Sequence, residues 1–400
     1  MRLTQLIRRW KSRIPSPHRP GRPRPFRPSL ESLEGRNVPS TFLVTNLNNA
    51  GPGSLRAAIL SVNHDTANSG VDEIDFKLSG TGMHTIKLTT ELPAVTHPVF
   101  LNGGSQRAYA GTPLVQIDGG GIPGGGDGLT IDARGHGSSF SAEVMGLAFR
   151  HVRDGIQVLD DQSSTALNVK LHDNQITAQG GEGINISAGT TSATVQVVHN
   201  QVTTSAGGDG IVALTAGTSD NFKFSGNTVR VSGSGDGIQV VGTGADNTLA
   251  FTQNKVGLRG TGDALVIAVT ASSSTTASIT NNNLNTAYLG TGLHLVGGSG
   301  FQALVQGNDF RSNLVGVEVE GDGNTAGSID LGGGSLGGTG GNNFTTFGTA
   351  TANSFAIGLF NVGPDYQLPA LHNLFAVPAT STIADGSYDP NAGGEGTILV

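Results

Sequence analysis

"GDGIQVVG", residues 235–242, reads as a tight turn (Gly235, Asp236, Gly237) that runs into a short alternating strand. Ile238 and Val240 fall on one face of that strand and Gln239 on the other. The chain says nearly the same thing again: "GDGLTI" at 126–131, "RDGIQV" at 153–158, "GEGINI" at 181–186, "GDGIVA" at 208–213 and "GDALVI" at 262–267. The marker glycine or its stand-in falls at Gly128, Gly155, Gly183, Gly210, Gly237, Ala264, Gly292 and Gly316. A second marker keeps step with it, at Asn174, Asn200, Asn227, Asn254, Asn282 and Asn308. Two residues after each asparagine stands an apolar side chain: Ile176, Val202, Val229, Val256, Leu284, Phe310. Before each lies a further alternating strand, marked by Val169/Leu171, Val195/Val197, Phe222/Phe224, Leu249/Phe251, Ile279 and Leu304.

Each unit of roughly 27 residues therefore holds three short β segments and no helix. Such a unit cannot bury its inner face alone, whereas stacked copies can. The spacing predicts an all-β fold: a right-handed parallel β-helix of three-strand coils, with equivalent strands paired in parallel at ~4.8 Å. Composition agrees. Glycine is abundant (62 residues), charged residues make up only 13% and aromatics 5%, which suits short strands joined by tight turns. The absence of cysteine excludes a disulfide scaffold, a thiolate metal site and a cysteine nucleophile.

The net charge of −7 conceals an asymmetry. Residues 1–40 carry ten Lys/Arg against Glu31 and Glu34, so an acidic body follows a basic arm. The expected organisation is a basic Pro/Arg-rich leader or disordered arm at 1–40, then an N-terminal cap and first coils at 41–125. Regular coils follow at 126–323, C-terminal coils at 324–375 and a polar tail at 376–400. Within the cap, Ser54 stands where an N-cap belongs, and Leu55, Ala58, Ile59 and Val62 give one apolar helix face. No stretch approaches the ~18 apolar residues of a membrane span. The proline-broken basic run, with almost no aromatics, gives no expectation of nucleic-acid binding.

In a β-helix, equivalent positions stack. Asp127, Asp154, Glu182, Asp209, Asp236 and Asp263, followed by Thr291 and Val315, should form one column. Aspartate before glycine is turn chemistry, since its carboxylate accepts backbone N–H groups. Neighbouring carboxylates also suit Ca²⁺, and Asp154, Glu182, Asp209, Asp236 and Asp263 are the candidate ligands. The asparagines are expected to take left-handed backbone angles and to bond amide to amide from coil to coil. No catalytic set stands out. Asp160-Asp161 and Gly135-His136-Gly137 lie in turn-like segments, and Arg153 with Asp154 and Arg259 with Asp263 read as surface ion pairs. His172-Asp173 and His199 on adjacent coils read as solvent-facing turn residues.

Residues 41–375 resemble right-handed parallel β-helix repeat proteins of the pectin-lyase-like superfold, above all large bacterial surface-associated members. The likeness rests on "GPGSLRAAI" (51–59), "LPAVTHPVFLNGG" (92–104), the entry from "GDGLTI" to "GLAF" (126–149) and the leader junction "LESLEGRNVPSTF" (30–42). The resemblance implies an exported scaffold with an atypical leader and a polysaccharide or cell-surface partner. That superfold also carries lyases, hydrolases and epimerases, which makes an enzyme acting on an acidic glycan the alternative.

Overall fold

The computed structural model describes residues 39–65, 70–160, 166–189, 192–270, 274–322, 326–345, 355–375 and 396–400. The basic arm expected at 1–40 lies, but for its last two residues, outside them. The chain is a right-handed parallel β-helix. Three sheets run along it. Among the described residues sheet A has eleven strands, from Thr41–Val44 to Ser328–Asp330; sheet B has eight, from His84–Lys87 to Asn283–Asn285; sheet C has nine, from Leu129–Asp132 to Phe355–Phe360. One coil shows the path. Ile238–Gly242 lies in sheet C, Asn247–Thr252 in sheet A, and a corner at Asn254 leads to Lys255–Arg259 in sheet B.

Pairing is parallel and in register, one coil apart: Ile238 faces Leu265, Leu249 faces Ala277 and Val229 faces Val256. Like therefore stacks on like. Ile176, Val202, Val229, Val256, Leu284 and Phe310 form one buried column inside sheet B. Rings stack along the coil axis, Phe224 on Phe251 with centroids 5.0 Å apart, and Phe310 on Phe344 at 5.1 Å. Helix α1 (Leu55–Asn63) buries Leu55, Ala58, Ile59 and Val62 against the first strands, and the Ser54 hydroxyl accepts the Ala57 N–H. Among the described residues no helix is long and apolar enough to cross a membrane.

The corner between sheets A and B is the most regular polar feature. Asn200 donates its side-chain amide to the Leu171 carbonyl and to Asn227 Oδ1, and its backbone N–H reaches the same Oδ1 at 3.0 Å. The pattern recurs at Asn174, Asn227, Asn254, Asn282 and Asn308 and continues to Asn342 and Asn373, beyond the copies visible as a sequence repeat. The backbone differs from expectation. The asparagines are not left-handed; the residue before each one is, with positive φ at Asp173, His199, Gly226, Gln253, Asn281 and Gly307. That preceding residue makes the sharp bend, which leaves the asparagine's own backbone N–H to bond along the coil axis.

Two further expectations change. Leu304 points outward, and Ala303 and Val305 fill the core, because Val305 pairs with Ile279 in the register. The stretch 376–400, expected as a tail, ends in a strand: Thr397–Leu399 pairs in parallel with Gln367–Pro369.

The marker glycine is steric. A Cβ on Gly237 would run into the Val256 side chain and the Ala264 carbonyl. Ala264 occupies the same position in its own coil, where Leu284 replaces the β-branched Val256 at that register.

Asn227→Ala should strand the Val197 carbonyl and the Asn200 N–H in the interior. At about 1–3 kcal/mol for each stranded group, unfolding in urea should lose about 2–6 kcal/mol. Asn227→Asp keeps the acceptor but sets an anion against the Val197 carbonyl and Asn254 Oδ1, and should cost at least as much.

Candidate functional site

The acidic column forms at the turn that enters sheet C, and it is a second hydrogen-bonded ladder. Asp154 Oδ1 accepts the backbone N–H of Glu182 at 2.9 Å. Asp209 accepts that of Asp236, Asp236 that of Asp263, and Asp263 that of Thr291, at 2.6–2.8 Å. Asp154, Asp209, Asp236 and Asp263 thus each cap the next coil's equivalent residue. At the start of the column, Arg153 donates to Asp127 at 2.8 Å and to Asp154 at 3.2 Å, clamping two coils. The remaining oxygen of Asp236 accepts from Gln239 at 3.1 Å. Among the described residues no group of three or more histidines and carboxylates is arranged to hold a metal ion.

Stacking carboxylates has an electrostatic cost. Burial pushes the Asp236 carboxyl above its usual range, the charges of Asp209 and Asp263 add to this, and the Asp263 N–H opposes it. Burial likewise raises Asp209; burial, and after it the neighbouring Asp154 carboxylate, raise Glu182.

Two histidine clusters lie elsewhere. At the A–B corner, His172 is half sandwiched between carboxylates: Nε2 lies 2.8 Å from Glu143 and Nδ1 2.7 Å from Asp173. Lys170 also donates to Glu143, at 2.8 Å. Burial would raise the Glu143 carboxyl, but its bonds from Lys170 and His172 outweigh this and hold it low. Only 12% of the His172 side chain is exposed, so the solvent-facing expectation fails for it. It holds for His199, which is 65% exposed and 4.0 Å from Asp173. His199 aligns with Asp173 rather than with His172, which pairs with Val198.

The second cluster escaped the sequence reading. On the outer face of sheet C, His294 Nδ1 lies 3.1 Å from Asp263, and Nε2 lies 3.5 Å from Glu320 and 3.7 Å from Glu318. Burial works against the imidazolium, but the Asp263 bond and the charges of Glu318, Asp263 and Glu320 raise its pKa above the usual histidine value. The signal was present two residues beyond each marker glycine, where His294 and Glu318 follow Gly292 and Gly316 and pair in register. Of the two ion pairs expected, Arg153 with Asp154 forms; Arg259 makes no bridge to Asp263. His136 packs edge-on against Phe140 at 5.2 Å, and Asp161 lies outside the described residues.

The raised carboxyls set a sign. A group whose folded pKa lies above its unfolded value stabilises the fold at low pH and loses that contribution as pH rises through the folded value. Glu182, Asp209, Asp236, Glu318 and His294 all shift upward, so urea stability should fall between about pH 5 and pH 8. Asp209→Asn with Asp236→Asn should flatten that slope.

Asp236→Asn keeps the acceptor for the Asp263 N–H and should leave stability at pH 8 unchanged or raised. Asp236→Ala should lose about 1–3 kcal/mol by stranding that N–H. A melting temperature that rises with millimolar Ca²⁺, and no longer does so in Asp236→Asn, would give the column a cation-binding role instead.

No family model matches the chain and no curated protein matches it in sequence, so the residues and their geometry carry any functional reading.

Proposed function

We propose that the protein is a non-enzymatic β-helix scaffold of the cell surface or the extracellular space, with a structural, adhesive or glycan-interacting role. One observation carries the reading. The recurrent polar side chains spend their hydrogen bonds on neighbouring coils, the asparagines on the preceding coil's backbone and the next asparagine, and most of the carboxylates on the next coil's backbone. They maintain a long regular surface and do not converge on a substrate. The leader-like basic arm and the resemblance to surface-associated β-helix proteins support placement outside the cell.

A second reading is favoured by the Glu143–His172–Asp173 contacts, which hold an imidazole between two carboxylates as acid–base chemistry on an acidic glycan would need. A panel of uronic-acid polymers, assayed for unsaturated products and new reducing ends, separates the two. The scaffold reading predicts no turnover. Turnover abolished by His172→Ala would overturn it. Location is checked by fractionating cells that produce the tagged full chain, with the protein expected in the surface or medium fractions.

A further inference from the structure

The outer face of sheet B carries a feature that neither ladder explains. Gly257 sits mid-strand with its bare Cα facing outward, where an added Cβ would meet nothing within 4 Å. Lys255 and Arg259 flank it on the same strand and the same face, and both are exposed. At about 3.3 Å rise per residue, their Cα atoms lie ~7 Å to either side of Gly257. Arg230, also exposed, occupies the same register on the adjacent coil, ~4.8 Å away across the sheet. On the other side Gly257 pairs with Asn285. Asn285 Oδ1 accepts the Ala287 N–H at 2.8 Å, which leaves its amide nitrogen as the end free to donate.

These side chains rim a hollow of about 570 Å³, whose other lining includes Thr203, Ser232 and Asn283 and no acidic residue. Asp309, two coils on from Lys255 in the register, accepts from Asn283 at 3.3 Å and is already held by Arg311 at 2.6 Å. Among the described residues, Arg230, Lys255 and Arg259 form no ion pair and no side-chain hydrogen bond. Three uncompensated cations gathered around a glycine floor are conspicuous on a body that is otherwise acidic.

We propose that this hollow binds a tetrahedral oxyanion, a sulfate or phosphate group, seated over Gly257. Cations approach such a group from three sides, Lys255 and Arg259 along the strand and Arg230 across it, with the Asn285 amide opposite Arg230. A planar carboxylate offers two oxygens and leaves at least one of these cations without a partner, whereas a tetrahedral anion offers an oxygen to each. The group arrives as a free ion or as an ester on a polysaccharide. The inference deepens the scaffold reading by giving one face a ligand, and it rests on that reading only for the polysaccharide source.

The test is calorimetric titration of the full chain at low ionic strength, where surface charge is least screened. The probes are sodium sulfate, sodium phosphate, dextran sulfate and unsulfated polygalacturonate, each against sodium chloride at matched ionic strength. Saturable binding of sulfate or phosphate is expected, with dextran sulfate ahead of polygalacturonate. Arg230→Ala and Gly257→Val should each weaken it about tenfold or more. Gly257→Val fills the floor without touching a charge and meets open space, so its melting curve should match wild type. Lys223→Ala, which removes an exposed cation from sheet A, should change nothing. Binding of dextran sulfate alone assigns the ester as the ligand; competition by the free ions shows that both share the hollow. The proposal falls if no sulfate or phosphate probe binds saturably, if Lys223→Ala weakens binding as much as Arg230→Ala, or if Gly257→Val binds like wild type. None of those results bears on turnover or location, which test the scaffold reading separately.

Discussion

A parallel β-helix has one demanding place, the corner where each coil turns while its backbone stays buried. Main-chain groups there cannot reach water, and leaving each unpaired would cost about 1–3 kcal/mol. The asparagine at the A–B corner meets that demand. Its amide nitrogen serves a carbonyl of the preceding coil and the next asparagine, while its oxygen receives two N–H groups from the coil before. The side chain works only if the next coil repeats it at the same height. That requirement fixes the register of coil on coil, and with it the stacking of Val229 on Val256 and of Phe224 on Phe251.

The carboxylate ladder at the entry to sheet C solves the same problem differently. An aspartate accepts a neighbouring coil's N–H as well as an asparagine does, here from the next coil and not the preceding one, but it brings charge. Burial at Asp209, and burial together with like-charged neighbours at Asp236, outweigh the favourable backbone bonds and raise both carboxyls. Where the column begins, Arg153 offsets the crowding of Asp127 and Asp154; where it ends, Thr291 takes over and carries no charge. His294 supplies a cation beside Asp263 near that end. The charge on the column is therefore compensated mainly at its two ends.

Much of this was legible in the sequence because both ladders are periodic. The marker glycines, the asparagines and the apolar residue two beyond each asparagine are forced by sterics and burial, so they recur at fixed spacing. What the sequence hid was non-periodic or shifted by one. Leu304 reads as core by hydrophobicity, yet the register with Ile279 gives that place to Val305. The αL position belongs to the residue before the asparagine, and its occupants Asp173, His199, Gln253 and Gly226 share no chemistry that a repeat search would notice. The His172 and His294 clusters join coils through outward side chains, which each coil chooses freely. Arg259 looked paired because an acidic residue lies close in sequence, but its side chain shares the outward face of sheet B with Arg230 and Lys255.

The central claim is that a whole coil is the unit of this structure, held to its neighbours by matched ladders. Deleting the coil from Asp209 to Gly235 joins Gly208 to Asp236 and restores both ladders, with Asn200 then facing Asn254. The measurement is cooperative unfolding of this deletion variant by circular dichroism, beside a variant lacking only residues 209–222. The account predicts that the whole-coil deletion keeps the β spectrum and a single cooperative melt, while the half-coil deletion does not fold. Equal loss of structure in both would contradict it.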